Sequence, residues 1–331
     1  MSMSLPRSEF AAVTLPNGKV LLIGGLTTNF AATATVDLYD PASDTVTAAA
    51  PMSTPRFGHS ATLLPNGKVL VAGGEAPGYL GPGTASAEIY DPAANRWTAA
   101  ASMARARAEF PAVLLPNGKV FVAGGAGGGE EIYDPVTNTW TVAQTMYNDR
   151  INGPAVAALK DGRVLIYGGQ AVIEPGNQFE VFDTTTGQAS SGNAMPLSYN
   201  WSTAAVLPDG SVMFVGGQAG YQPNGPVNTT IVFPGWTAGP VMNAGHCHHT
   251  MTTLKGGALL VVAGGGCGGA QPNAVAELYD PSSKTWLPAG MLATPRGGHV
   301  AALLGDGRVL IAGGFITMGA PIATMEIYTP A

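Results

Sequence analysis

The sequence predicts an all-β fold, a β-propeller with seven blades. A short apolar run that ends in a glycine pair occurs seven times, and successive pairs stand 44 to 51 residues apart. A repeat of this length, built from short strands and turns, is typical of a propeller. No segment keeps a helical period over any length, so we expect almost no helix. The glycine pairs stand at 24–25, 73–74, 124–125, 168–169, 216–217, 264–265 and 313–314.

Each repeat carries the signals of four strands, and the second copy shows them most clearly. Residues 59–64 form a small apolar run, and Asn66-Gly67 then supplies the positive φ angles of a tight hairpin turn. A second strand follows over 69–72 and stops at the glycine pair. The third strand alternates around Tyr90, and the fourth contains Trp97. We therefore expect four strands in each blade.

The order of a glycine pair, a tyrosine and a tryptophan resembles the Kelch family. The recurring aromatic residues are Tyr39, Tyr90, Tyr133, Tyr279 and Tyr328, and Trp97, Trp140, Trp236 and Trp286. The resemblance implies a single seven-bladed Kelch propeller over residues 1–331. The last copy ends after its third strand, so the seventh blade is expected to be incomplete. We expect residues 1–5 to pair with that blade in part.

The composition disfavours nucleic-acid and membrane partners. Charged residues make up 11% of the chain, the formal net charge is −6, and no basic stripe is present, whereas nucleic-acid-binding surfaces are basic. No apolar run is long enough to span a membrane. No signal peptide is recognisable at Met1, which is compatible with a mature secreted form. We expect a monomer.

The segments that lead into the first strands differ most between repeats. In a propeller these segments surround one mouth of the central channel, while the nearly invariant Asn-Gly-type turns lie on the opposite face. We call them the mouth segments: 7–10, 56–59, 107–110, 151–154, 199–202, 246–249 and 296–299. Convergent polar groups in one concavity are the default binding site. We therefore expect a small-molecule or glycan ligand on this face.

The sixth mouth segment carries metal-ligand chemistry. His246, Cys247, His248 and His249 are consecutive, and imidazole and thiolate are the usual ligands of zinc and copper. These four residues predict one transition metal, Cu or Zn; the alternative is a polar rim of hydrogen-bonded imidazoles. Cys247 and Cys267 bracket one hairpin, so a disulfide and two free thiols both remain open.

The sixth repeat also resembles the copper-binding blade of galactose oxidase-type enzymes. The resemblance is carried by His248-His249-Thr250 and, after a hairpin, by the glycine run 264–268 that contains a cysteine. It implies that His249 stands at a histidine ligand and His248 at a tyrosine ligand. The family's cross-linked Cys and Tyr correspond to Glu9 and Gly58. The resemblance therefore gives a location for a metal without the copper-radical chemistry.

Other residues of the mouth segments are candidates for catalysis or binding. Glu9 and Glu109 replace small residues near the axis and are expected to be bases, metal ligands or partners of arginines, and His249 is a third catalytic candidate. Trp201 is expected to stack on a ligand ring. The expected ligand-binding set is Trp201, Tyr199, Asn200, Arg56, Arg107, His59 and His299. Each has a structural alternative, which is strongest for the repeated arginines and for His59 and His299.

Two classes of function follow from these residues. The first is an enzyme with a metal-centred site at the channel mouth that acts on a small molecule. The second is a non-catalytic Kelch propeller that binds a glycan or a protein. A third hypothesis is that the chain is an interaction module of a larger protein. We favour the enzyme, because the unusual residues are metal-ligand types clustered on adjacent repeats.

Overall fold

The computed structural model describes residues 1–75, 83–125, 129–143, 150–151, 153–171, 178–194, 199–219 and 225–330. They form a seven-bladed propeller of antiparallel sheets, six with four strands and one with three. This confirms the predicted fold class. In these ranges the only helical elements are two short 3-10 turns, Thr28–Phe30 and Cys267–Gly269. None of the described helices is long and apolar enough to cross a membrane.

The strands of each blade follow in chain order from the axis outwards. Blade 1 contains Ala11–Thr14, Val20–Ile23, Val36–Asp40 and Thr45–Ala49; blade 2 contains Ser60–Leu63, Val69–Ala72, Ala87–Asp91 and Arg96–Ala100; blade 3 contains Ala112–Leu114, Val120–Ala123, Glu130–Asp134 and Thr139–Val142. Blade 4 contains Ala155–Ala158, Arg163–Tyr167, Gln178–Asp183 and Gln188–Ala194; blade 5 contains Thr203–Val206, Val212–Val215, Thr230–Phe233 and Thr237–Ala238. Blade 6 contains Thr250–Thr253, Leu259–Gly264, Asn273–Asp280 and Thr285–Met291, and blade 7 contains Val300–Leu303, Val309–Ala312 and Met325–Tyr328.

Three short ribbons extend the mouth face beyond the blades. They pair Arg150–Ile151 with Gln170–Ala171, Tyr199–Asn200 with Gln218–Ala219, and Phe315–Thr317 with Ala320–Pro321. Each of the first two ribbons joins a mouth segment to the chain that follows the glycine pair of the same blade. The mouth segments are therefore held by backbone pairing as well as by side-chain packing.

The core consists of clusters that join neighbouring blades. The second strand of each blade is buried on both faces, which explains why these strands are continuous apolar runs. One cluster packs Leu70 and Ala72 of blade 2 against Val120 and Val122 of blade 3. Because each blade packs only against its two neighbours, the ring must close to bury both terminal blades.

The N-terminus closes the ring against blade 7. The backbone N–H of Met3 donates to the Ala323 carbonyl at 2.9 Å, and the N–H of Met325 donates to the Met1 carbonyl at 3.1 Å. Met52 makes the same contact to Ala34 within blade 1, at 3.0 Å. Residues 1–3 therefore occupy the place that follows an outer strand in the other blades. The expected partial pairing of the N-terminal residues is confirmed.

Candidate functional site

One residue of every mouth segment has a left-handed backbone and lies at the axis. The φ angles of these seven residues lie between 47° and 60°. Backbone hydrogen bonds link them from blade to blade: the N–H of Gly58 donates to the Glu9 carbonyl at 2.9 Å, and the N–H of Glu109 donates to the Gly58 carbonyl at 2.8 Å. We call this set the axial ring: Glu9, Gly58, Glu109, Gly153, Trp201, His248 and Gly298.

Four members of the axial ring are not glycine. A left-handed backbone costs an L-residue roughly 1–2 kcal/mol, whereas glycine adopts it freely. Glycine at Gly58, Gly153 and Gly298 is therefore what the backbone favours. Strained backbone of this kind is typical of functional sites. The four exceptions are Glu9, Glu109, Trp201 and His248.

The axial ring opens into a cavity of about 560 Å³. All seven ring residues line it, and the residue after each of them lines it too. That second layer consists of Phe10, His59, Phe110, Pro154, Ser202, His249 and His299. The remaining wall residues are Pro111, Thr203, Gln218, Gly266, Cys267, Gly268 and Met318. The structure thus brings together the expected residues Glu9, Glu109, Trp201, His248, His249, His59 and His299.

The large ring side chains lean over the preceding blade. A Cβ added to Gly153 would lie 2.9 Å from Cδ1 of Trp201, and one added to Gly58 would lie 3.4 Å from Cγ of Glu109. Across Gly153, the Trp201 side chain lies close enough to the Glu109 carboxylate to favour its ionised form. The His248 ring meets the Trp201 indole edge-on, with centroids 4.6 Å apart. The ring glycines therefore leave the space that the neighbouring side chains occupy.

The two ring carboxylates have raised pKa values. Burial raises the pKa of Glu9 to about 7, and the negative charges of Glu109 and Glu75 add to the effect. Burial within the channel walls also raises the pKa of Glu109, and the nearby Trp201 side chain opposes that rise. Glu109 faces the open mouth and is exposed to solvent there, so we assign the larger rise to Glu9. Burial lowers the pKa of His248 to about 4, so this imidazole is neutral at pH 7.

The repeated arginines do not reach the cavity. Arg56 and Arg107 are fully buried. Nη1 of Arg107 donates to the carbonyls of Gly124 and Gly129 at 2.8 and 3.0 Å, and Nη2 donates to Glu131 at 2.8 Å. These bonds fix the mouth segment to its own blade, which is the structural alternative expected for the repeated arginines. Arg56 and Arg107, expected to bind ligand, have a structural position here.

His246 takes the place of this arginine in blade 6. It is fully buried. Its Nδ1 lies 2.6 Å from the Ala263 carbonyl and its Nε2 lies 3.1 Å from Oε1 of Glu277. Tyr199 holds the same place in blade 5, where its hydroxyl accepts a hydrogen bond from Thr229 at 2.9 Å. His246 and Tyr199 lie outside the cavity wall, as does the buried Asn200.

Two of the three second-layer histidines, His249 and His299, bridge neighbouring blades. Nε2 of His249 lies 2.9 Å from Oγ1 of Thr203, the first residue of blade 5, and Nε2 of His299 lies 2.9 Å from Oγ1 of Thr250 in blade 6. Burial lowers the pKa of His299 to about 3, and it lowers that of His59 to about 3 as well. These imidazoles are neutral, and they contribute packing between blades while one edge of each lines the cavity.

The donor set does not fit a copper or zinc centre. Cys247 and Cys267 form a disulfide with sulfurs 2.08 Å apart, so neither offers a thiolate. Both nitrogens of His246 and Nε2 of His249 already have hydrogen-bond partners. Across the described ranges, no three side chains of His, Cys, Asp or Glu converge as a metal site. The expected ligands His246 and Cys247 are thus committed elsewhere, which leaves too few donors around His248 and His249.

Incubation with Cu²⁺ or Zn²⁺ should therefore leave the protein without stoichiometric metal. We expect well under about one ion per chain after removal of excess, since a stable site needs three or four protein ligands. Elemental analysis of tag-free protein measures this directly. One tightly bound ion per chain, lost in a variant with His248→Ala and His249→Ala, would contradict this expectation and support a metal centre.

Comparison with known proteins agrees with the repeat pattern. Residues 56–104 match the Kelch motif. The resemblance to Kelch propellers is confirmed. No curated protein is significantly similar in sequence.

Among solved structures, the chain is similar to a fungal alcohol oxidase of the AA5 family in complex with copper. The identity is 18%, the TM-score is 0.79, and the match covers 100% of this chain and 76% of that one. It is also similar to YjhT, with 17% identity, a TM-score of 0.66 and coverage of 87% and 98%. At these identities the likeness shows the fold.

Sequence reasoning missed the three ring glycines and the wall residues Ser202, Gln218 and Met318. The glycines stand in the same column of the mouth segments as Glu9 and Trp201, and that column was the available signal. Gln218 and Met318 follow glycine pairs on ribbons whose course no periodic pattern predicts.

Proposed function

We propose that this protein is an enzyme that catalyses proton transfer on a small, ring-shaped polar molecule held in the channel mouth. The observation that carries the proposal is the axial ring. At a position where glycine is favoured, four strained residues direct two carboxylates, an indole and an imidazole into one cavity. Perturbed titratable groups in a cleft are candidates for acid–base catalysis.

The two carboxylates divide the acid and base roles. With a pKa of about 7, Glu9 is partly protonated at neutral pH and can both give and take a proton. Burial raises the pKa of Glu109, but the Trp201 side chain opposes that rise and the carboxylate is open to solvent, so we assign Glu109 the role of base. The indole of Trp201 offers a flat apolar surface for a ring, and neutral His248 offers a hydrogen-bonding edge. Such positioned proton transfer contributes about 10²–10⁴-fold to a rate.

The fold comparison supports an enzymatic function. It does not support redox chemistry in this chain. An alcohol oxidase with bound copper shares this fold. The positions that the resemblance to galactose oxidase-type enzymes matches to their cross-linked Cys and Tyr hold Glu9 and Gly58 here, and both nitrogens of His246 and Nε2 of His249 have hydrogen-bond partners. We therefore derive no step through a metal.

The test is turnover by the purified protein of a panel of mono- and disaccharides in D₂O, followed by ¹H NMR at pH 7. We expect hydrolysis, isomerisation or exchange of carbon-bound hydrogen for at least one compound. Glu9→Gln or Glu109→Gln should slow it by about 100-fold or more. The control Asp91→Asn removes a carboxylate that pairs with Lys68 at 3.0 Å on the opposite face, and it should leave the rate unchanged. A rate that survives both glutamate substitutions would refute the proposed roles.

The alternative is non-catalytic binding of a glycan in the same cavity. Trp201 at the wall of a cavity of about 560 Å³ favours this reading on its own. It predicts saturable binding that Trp201→Ala abolishes, no turnover of any compound, and an affinity that Glu9→Gln leaves unchanged.

A further inference from the structure

The geometry points to a ligand that carries a protonated amine, such as an amino sugar, in place of a neutral or anionic one. This inference rests on the proposed function, because it concerns the ligand of the same cavity. It is carried by three observations: the sign of the charge around the cavity, the aromatic wall, and the buried polar atoms without partners in the second layer.

The charged side chains that line the cavity are all negative in the part of the chain that the structure describes. Glu9 and Glu109 belong to the wall, and Glu75 is close enough to Glu9 to repel it. The nearest arginines are fully buried and are bonded to carbonyls and acidic side chains within their blades. Lys19, Lys68 and Lys119 pair with aspartates at the opposite end of the blades. An anionic ligand would find repulsion here and no cation.

A cation would relieve the repulsion between the two ring glutamates. They stand on blades 1 and 3 with only Gly58 between them in the axial ring, and the charge of Glu109 acts on Glu9 across that glycine. An ammonium group donates three hydrogen bonds and accepts none, which matches two carboxylates. Trp201 lies next to Glu109, and a cation above an indole face is attracted by the ring.

The second layer supplies polar atoms that have no partner within the protein. Ser202, His249 and His299 line the cavity and are at least nine-tenths buried, with 7%, 7% and 6% of their surface exposed. Oγ of Ser202 and Nδ1 of both histidines make no hydrogen bond. Buried polar groups are rarely left without a hydrogen bond. We therefore expect water, or a ligand with many O–H and N–H groups, to hydrogen-bond to these atoms. A polyhydroxylated ring with an ammonium group offers such hydrogens.

The test compares three probes of one shape and different charge: glucosamine, glucose and glucuronate. Their binding to the whole chain is measured by calorimetry or by ligand-observed NMR at pH 7 and low salt. We expect glucosamine to bind about tenfold or more tightly than glucose, with glucuronate weakest. Added salt should weaken glucosamine more than glucose. In the Glu9→Gln, Glu109→Gln double variant the preference should shrink to about threefold or less, whereas Asp91→Asn should preserve it.

The outcomes separate this inference from the proposed function. Equal affinity for glucosamine and glucose, both lost in Trp201→Ala, would overturn the amine inference and leave the binding site intact. Tightest binding of glucuronate would overturn it as well. If none of the three binds and no saccharide of the larger panel is turned over, the proposed function fails and the inference fails with it.

Discussion

Replacing Arg107 with methionine should lower the free energy of unfolding by about 3–5 kcal/mol, because it leaves the buried Glu131 carboxylate without its charge partner. The two side chains are 0% and 1% exposed and 2.8 Å apart. The guanidinium also satisfies the carbonyls of Gly124 and Gly129, which would lose a donor. Chemical denaturation of the wild type and the variant measures the difference.

The matched control is Lys119→Met in the same blade. Lys119 pairs with Asp134 at 3.0 Å, but the two side chains are 42% and 23% exposed, and exposed pairs contribute about 1 kcal/mol or less. Adding Glu131→Gln to Arg107→Met should recover part of the loss, because the uncompensated charge disappears. If Arg107→Met costs no more than Lys119→Met, the arginine does not anchor its mouth segment.

Replacing Gly153 with alanine should displace Trp201 and weaken ligand binding by about tenfold or more. The new Cβ would lie 2.9 Å from Cδ1 of the indole, closer than side chains tolerate. The φ angle of 60° adds a strain of roughly 1–2 kcal/mol. Denaturation gives the stability, and the affinity for the tightest saccharide gives the effect on the site.

The Gly58→Ala variant separates the effect of backbone strain from the effect of displacing Trp201. Gly58 has a φ angle of 59°, nearly that of Gly153, but its added Cβ would lie 3.4 Å from Cγ of Glu109, an ordinary contact distance. We expect both variants to lose similar stability from backbone strain, and only Gly153→Ala to lose the Trp201 position. Equal affinities in the two variants would show that Trp201 does not need the space above Gly153.

The blades were predictable because the glycine pairs are a packing requirement. A Cβ at Gly73 would lie 2.5 Å from Cε1 of Phe110 on the next blade, and one at Gly74 would lie 2.8 Å from Cβ of His59 in its own mouth segment. Each glycine pair therefore leaves room for two mouth segments, that of its own blade and that of the next blade. This explains why the pair recurs in every copy. The N-terminal closure was predictable for a related reason, since residues 1–5 align with a segment that has a fixed place in each blade.

The site was predictable in its location and less so in its members. Counting back from the hairpin turns placed Glu9, Glu109 and Trp201 in one column, and the structure gives that column one backbone conformation. His246 was misleading because its residue type indicates a metal ligand. It stands at the first position of its mouth segment, which is the position of the buried Arg56 and Arg107. The hairpin register brought Cys247 near Cys267, but no pattern in one sequence gives the oxidation state of two neighbouring thiols.

The central claim is that Trp201 and the two ring glutamates form one titrating site, and the indole N–H resonances test it most directly. The chain has five tryptophans. The indoles of Trp97, Trp140 and Trp286 donate to backbone carbonyls, so their signals should be insensitive to pH. The Trp201 signal, assigned with Trp201→Phe, should shift with a midpoint near pH 7, because Glu9 loses its proton there beside Glu109. Glu9→Gln should abolish that shift. A Trp201 signal that stays constant from about pH 5 to 9, a range that spans the raised pKa, would contradict the account.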